Sequence, residues 1–442
     1  MPETDPPRQS RFRLVDIDGR PAALNRADVP DDVLTMTALE AEGLKEAYIA
    51  DVPWNQSMDP LEAREVYRAF GAKEGHGITR QAVDVSDLAP RARQPLSKIG
   101  RRPLVALIDT AVAPHPWIGP NGRDDAGDPF WRDARHIPNG WDAGDESGSP
   151  IPVPEESLDP EATHSGHGTF ITGIIRQLAP DATVLSFPVM DSSGFADGEL
   201  VRSALRWILD HAQTAETGGA SDLAVDVVNI SFGRYLDPGR VPPEEDATRT
   251  LLEDLATLGV RVVASAGNRG SSLKVLPAAW ATPDTVEGIG LKSVGALDPN
   301  GKAAPYSNHG VWVLAAARGT ALVSCLPAFT DVPWPPTPRP KPEALALHED
   351  PNLQLTTFAR WAGTSFAAAV VTSTIAARLL RPDPTPENPS AALPAGSPPL
   401  GSHLAVRDRQ KVVDRAKEAW ADFPPMPDPA STGGSAGATG RS

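Results

Sequence analysis

Residues Gly363 to Leu380 read GTSFAAAVVTSTIAARLL, and after the small polar pair Thr364 and Ser365 the stretch is apolar on every side of a helical projection. That pattern predicts a helix buried all round rather than one lying on a surface, so the chain must build a core around it. Ser365 stands at the mouth of this helix, where unpaired backbone N–H groups and the positive end of the helix dipole meet. Two readings follow. The serine caps the helix, as Ser and Thr commonly do, or it sits where an oxyanion can be stabilised. The second reading requires a histidine, a carboxylate and an oxyanion donor elsewhere in the chain.

The 442 residues suffice for one large domain with appendages, or for two or three smaller ones. A net charge of -16 argues against nucleic acid or an anionic membrane as the main partner. The N-terminal MPETDPPRQSRFRL has no apolar segment of the export type, and no apolar run is long enough to span a bilayer. The expectation is a soluble, unexported protein of the cytoplasm. The single cysteine, Cys325, has no partner for an internal disulfide, which agrees with a reducing compartment. It closes the apolar run TALVSC and reads as a packing residue.

Residues 1–100 form a leader or accessory domain. In it RFRLVDID reads as a short strand, PDDVLTMTALEAEGL and PLEAREVYRAF read as helices, and Ile78 to Ile99 shows no clear period. A small domain, a folding-assisting prosegment and a docking arm for a regulatory protein partner are all open. The basic pair Arg101 and Arg102 marks either a processing site or ordinary surface. From Pro103 the runs PLVALID, ATVLSFPV, DVVNISF, RVVASAG, LKSVGAL and VWVLAA have the character of strands buried on both faces. Helical segments alternate with them: GTFITGIIRQL, GELVRSALRWILDHAQ and EEDATRTLLEDLATLG. The fold class is therefore α/β, with a mostly parallel central sheet and helices on both faces. Ligands of such sheets sit beyond the carboxyl ends of the strands.

Gly119 to Thr163 is dense in Gly, Pro, Asp and Glu and reads as a surface insertion. A second insertion, Pro327 to about Asn352, contains VPWPPTPRPKPE and reads as extended polyproline. The main domain spans 101–385. Residues 386–442 comprise a Pro-rich segment, one helix within LAVRDRQKVVDRAKEAWADF, and a Gly/Ser/Ala-rich tail expected to be disordered.

Chemistry-bearing residues gather at strand ends and helix starts. Asp109 follows PLVALI, His167 stands in HSGHGTFITG, Asn268 closes RVVASAGN, and Ser365 opens the buried helix. Together they supply a carboxylate to orient a base, the base, an oxyanion donor and a nucleophile, all at one edge of one sheet. The order Asp, His, Asn, Ser in the contexts DTAV, HGTFITG, ASAGN and GTSFAA resembles the subtilisin-like serine proteases. The likeness extends to LAPDATVLSFPVMDSSG, VVNISFG, LKSVGALD and AARGTALVSC, covering roughly residues 103 to 381.

What the resemblance implies is peptide-bond hydrolysis by a serine endopeptidase, with a protein or peptide as substrate and no cofactor. Ser365 would be the nucleophile, His167 the general base and acid, Asp109 its orienting carboxylate, and Asn268 with the Ser365 backbone N–H the oxyanion hole. The segments at Ser231, Phe232 and Gly233 and at Ala264 to Gly267 would line the first specificity pocket. Ser193 to Ala196, with Gly194 and Phe195, would pair with an extended substrate as an added strand. Arg269 would stand at the pocket rim, either selecting acidic side chains or simply solvated.

Several residues depart from the family pattern: Ala111 for a glycine, Ala369 and Val370 for a proline and a histidine, and Arg318 for a proline. The helix after His167 runs straight through IIRQLAPDATV, leaving no loop for the calcium site of many relatives, so that site is expected to be absent. His164 and His167 form an H-x-x-H pair without a third ligand nearby, so no metal is expected. The alternative to an active protease is a catalytically silent scaffold that binds a protein or peptide partner. A non-proteolytic α/β hydrolase would want a G-x-S-x-G elbow, which GTSFA does not supply.

Overall fold

A computed structural model of the chain describes residues 14–15, 21–22, 48–49, 81–82, 90–119, 129–137, 140–144, 149–154, 164–192, 194–217, 223–236, 246–281, 290–327, 358–380 and 409–427. In chain order its strands and α-helices are β1 (Leu14–Val15), β2 (Pro21–Ala22), β3 (Tyr48–Ile49), β4 (Gln81–Ala82), α1 (Leu96–Ile99), β5 (Leu104–Asp109), β6 (Trp131–Asp133), α2 (His167–Leu178), β7 (Thr183–Pro188), β8 (Phe195–Ala196), α3 (Gly198–Glu216), β9 (Val227–Ile230), β10 (Arg234–Tyr235), α4 (Ala247–Thr257), β11 (Arg261–Ser265), β12 (Val275–Leu276), β13 (Leu291–Leu297), β14 (Ala315–Arg318), β15 (Leu322–Cys325), β16 (Phe358–Trp361), α5 (Thr364–Leu379) and α6 (Arg409–Trp420).

The central sheet has seven strands in the order β14-β13-β11-β9-β5-β7-β6, and every pairing in it is parallel. Such a sheet is covered on both faces, which is why its strands read as continuous apolar runs. Alternation along β5 shows both layers. Leu104, Ala106 and Ile108 join a core with Leu200, Ala204 and Ile208 of α3. Val105 and Leu107 face the other way, into a core with Phe170, Ile171 and Ile174 of α2. The helix beginning at Thr364 is indeed buried nearly all round, packed among α2, α6 and strands β9, β11, β13 and β14.

β7 and β6 lie on one side of β5, while β9, β11, β13 and β14 lie on the other. The strand order therefore reverses at β5, and Asp109 ends that strand at the crevice where open α/β sheets bind ligands.

The structure corrects the sequence reading in three places. Part of the Gly119–Thr163 stretch is not surface insertion: the half-buried β6 extends the sheet beyond β7, and Phe130 and Trp141, before and after it in the chain, are buried. Their aromatic mass outweighs the turn-forming composition around them. VWVLAA becomes a strand only from Ala315, because the Ser293 hydroxyl donates to the Trp312 carbonyl and accepts from the Leu314 N–H (2.9 Å), drawing those residues out of the ladder. The antiparallel pairing of β15 with β16 has no forecast counterpart, nor has that of β4 with the other edge of β16.

In the leader, β1 falls within RFRLVDID and pairs with β2. The two helices expected there, the polyproline insertion beyond Pro327 and the Gly/Ser/Ala-rich tail lie outside the described residues. Residues 90–102 dock on the main body. Arg93 donates to the Ala182 carbonyl (3.0 Å), Gln94 N–H to Asp181, and Arg101 pairs with the fully buried Asp226. Arg102 reaches Asp181 at 3.5 Å, so both members of the basic pair are engaged. At the other end, α6 buries Val412, Ala416, Ala419 and Trp420. After it, the Pro424 carbonyl accepts from Ala316 N–H of the edge strand β14 (2.8 Å). Among the described residues no helix is long and apolar enough to cross a membrane.

Candidate active site

Asp109 is fully buried, and its Oδ1 lies 2.7 Å from Nδ1 of His167. The same oxygen accepts the Thr110 backbone N–H at 2.8 Å. Oδ2 has no hydrogen-bond partner among the described residues.

His167 is the first residue of α2, and the residue before it, Gly166, takes a left-handed conformation (φ +77°). A Cβ there would fall 2.6 Å from Pro327 and 2.9 Å from Leu326, so only glycine fits the turn that delivers the imidazole. The ring is enclosed by Trp361 (centroids 5.6 Å apart, 86° between planes), Phe366 (5.4 Å) and His164 (5.6 Å). With its face and edges packed, the imidazole has few rotamers open to it.

Ser365 is the second residue of α5, and its hydroxyl does not cap the helix: the N-cap is Gly363, without a side-chain bond. Instead Oγ donates to the Ser231 carbonyl at 3.1 Å, while the Ser231 hydroxyl reaches the Ser365 carbonyl at 3.3 Å. The neighbouring Phe366 ring touches the His167 ring, so the helices carrying serine and histidine meet here. Asn268 follows β11. Its Oδ1 accepts from Thr364 N–H (2.8 Å) and from the Thr364 hydroxyl (2.9 Å). With the oxygen end so occupied, the amide presents its nitrogen end as a donor beside the start of α5.

The residues proposed from sequence for a first pocket lie nearby with mixed character. Ser231 and Phe232 are buried just past β9. At Gly233 a Cβ would run into Val275 and the Leu276 carbonyl, and at Gly267 (φ +92°) into the Tyr235 hydroxyl and Asn308. Ala264 is buried in β11. Arg269 is only 7% exposed, with its guanidinium 3.9 Å above the Tyr235 ring. The solvated reading of this arginine is therefore wrong: a cation–π contact holds it down.

Gly194 (φ +87°) turns the chain into β8, and β8 already has a partner. Phe195 and Ala196 pair antiparallel with Ile49 and Tyr48 of the leader. Ser193 lies outside the described residues.

His164 is buried and donates its backbone N–H to the Ser192 carbonyl (2.9 Å). Among the described residues no group of three or more His, Cys, Asp or Glu could hold a metal ion. Cys325 is fully buried, and burial pushes its thiol up to about 12, which leaves it un-ionised at neutral pH. Three contributors escape the sequence reading. Thr110 and Thr364 sit inside the very motifs it quotes, DTAV and GTSFAA. Trp361 comes from a short strand with no periodic signal of its own.

The model of the subtilase family, peptidase S8, matches residues 100–393 of the chain. The chain belongs to the subtilase family. Among curated relatives, this subtilase is 30% identical over 170 residues to subtilisin-like protease 3 of Pseudogymnoascus destructans, covering 37% of each chain. It is 27% identical over 189 residues to subtilisin E of Bacillus subtilis, covering 40% of this chain and 43% of that one. The match thus spans less than half the length of either relative. Among solved structures, a serine-to-alanine mutant of the protease domain of PatA is 20% identical, with a TM-score of 0.43 over 76% of this chain and 98% of that one.

Proposed function

We propose that this subtilase is a serine endopeptidase that hydrolyses peptide bonds in proteins or peptides, using Ser365, His167, Asp109 and Asn268. The observation that carries the reading is the buried 2.7 Å contact between Asp109 Oδ1 and His167 Nδ1, at the sheet edge where α5 brings Ser365 and the Asn268 amide. The carboxylate takes the Nδ1 proton as its hydrogen-bond donor, which leaves Nε2 unprotonated and able to act as a base.

The Ser365 hydroxyl turns about χ1 from the Ser231 carbonyl to Nε2 and gives up its proton as Oγ attacks the substrate carbonyl carbon. The resulting oxyanion accepts from the Asn268 side-chain amide and the Ser365 backbone N–H. His167 then passes the proton to the leaving amine, and water repeats the sequence on the acyl-enzyme. Asp109 stays ionised and favours the transient imidazolium.

The substrate lies extended along β8, in the place that Tyr48 and Ile49 occupy, with Ser231, Phe232, Gly233, Ala264 and Gly267 around its first side chain. Residues 1–100 are then a regulatory segment. The lone buried cysteine fits a reducing compartment such as the cytoplasm.

One observation favours a silent scaffold instead: the Ser365 hydroxyl is bonded to Ser231. A fluorophosphonate probe separates the two readings. An active enzyme is labelled at Ser365, located by mass spectrometry, and the Ser365→Ala variant is not; a folded protein that takes up no label is a scaffold.

A further inference from the structure

Helix α2 begins without a cap of its own. Gly166, at the N-cap, has no side chain to accept from the first free N–H groups of the helix, which are always left without intrahelical partners. The acceptor comes from a different element. The Thr110 hydroxyl, one residue beyond β5, accepts from Gly168 N–H at 2.8 Å. A second strut runs the opposite way, with the Thr169 hydroxyl accepting from Ala113 N–H at 2.9 Å. The backbones are in contact between these struts: a Cβ on Gly168 would collide with the Thr110 carbonyl oxygen.

Thr110 also acts on the carboxylate. Its N–H holds Oδ1 of Asp109, the oxygen that meets His167, while Oδ2 is held by nothing among the described residues. One residue therefore grips the acid through its main chain and the helix of the base through its side chain.

We infer that Thr110 is a positioning residue whose hydroxyl sets the imidazole of His167 in register with Asp109. The inference rests on the proposed hydrolytic reading, since it assigns Thr110 a part in that reaction. Valine matches threonine in shape but has no acceptor, so Thr110→Val leaves Gly168 N–H buried and unpaired and frees the first turn of α2 to shift. Serine keeps the acceptor.

The test is made on the full chain. Thr110→Val should lose on the order of 10- to 100-fold in kcat, the cost of a misplaced reacting group, with KM essentially unchanged. Thr110→Ser should keep most of the activity. Proton NMR supplies a readout independent of turnover. The far-downfield signal of the His167 Nδ1 proton, held by Asp109, should persist in the unsubstituted protein and in Thr110→Ser and broaden or vanish in Thr110→Val. If Thr110→Val does not fold, Thr110→Ala is measured in its place. An undiminished kcat and proton signal without the hydroxyl overturns the inference, as does an equal loss in Thr110→Ser. Should the unsubstituted protein hydrolyse nothing, the hydrolytic reading fails while the proton signal still decides whether the hydroxyl positions the pair.

Discussion

The site has two halves, and they are fastened differently. Where β5 meets α2, buried hydrogen bonds cross from strand to helix between Asp109 and His167 and from Gly168 N–H to the Thr110 hydroxyl, the Thr110 N–H holds Asp109, and aromatic rings close around the imidazole. Where β11 meets α5, Asn268 is equally well held through Thr364, but the Ser365 hydroxyl is bonded to the Ser231 carbonyl. On the proposed reading the His167 half is set before substrate arrives, whereas the Ser365 hydroxyl has to leave the Ser231 carbonyl to meet the imidazole. Hydrogen bonds of this kind commonly tighten only in the complex with substrate.

The sharpest test of this contrast is Ser365→Ala. It should abolish hydrolysis, a fall of about a millionfold in kcat, yet leave the downfield His167 proton signal in place, because the two halves do not share that bond. Loss of the signal would show that they are one unit.

Asn268→Ala should cost on the order of 100- to 1000-fold in kcat with little change in KM, as expected for a donor that matters mainly once the oxyanion forms. A proportionate rise in KM would instead make Asn268 a ground-state binder.

A smaller effect concerns access. Tyr48 and Ile49 hold the β8 edge, so removing residues 1–50 should lower KM for an extended peptide severalfold at unchanged kcat. An unaltered KM would mean that the substrate does not use that edge.

The smallest effect bears on the support beneath α2, where a Cβ on Gly173 would run into the Sγ of Cys325. Burial raises the thiol to about 12 from an ordinary value near 9. Between those values the unfolded chain releases a proton that the folded chain keeps, so stability falls as pH rises, by at most about 1.4 kcal/mol per pH unit from this group. Denaturant melts of Cys325→Ala should show a shallower slope in that window; an identical slope would refute the assignment.

Much of this was legible in the residues. Strands such as PLVALID and RVVASAG are buried on both faces, and an uninterrupted apolar run records that directly. The proposed residues Asp109, His167, Asn268 and Ser365 stand out in the sequence because each lies beside a sharp change of pattern, from strand to turn or from turn to helix. β6 was hidden because three residues between turn formers carry no usable period, and its pairing with β7 is a tertiary fact. The role of Thr110 was hidden for a related reason. A threonine after a strand-end aspartate looks like turn material, and its bond spans 58 positions to Gly168. Arg269 misled through charge, since a cation stacked on Tyr235 and one in solvent read alike in a sequence.

The pairing of Ala316 with Pro424 matters beyond the site. An outermost strand with open amides invites a stray chain to add itself, and repeated addition is how sheets grow into aggregates. Here the segment after α6 lies against that border, and Met426 sulfur fills the hollow at Gly295. While that segment is seated, the outward amide of Ala316 on β14 is occupied from within the chain.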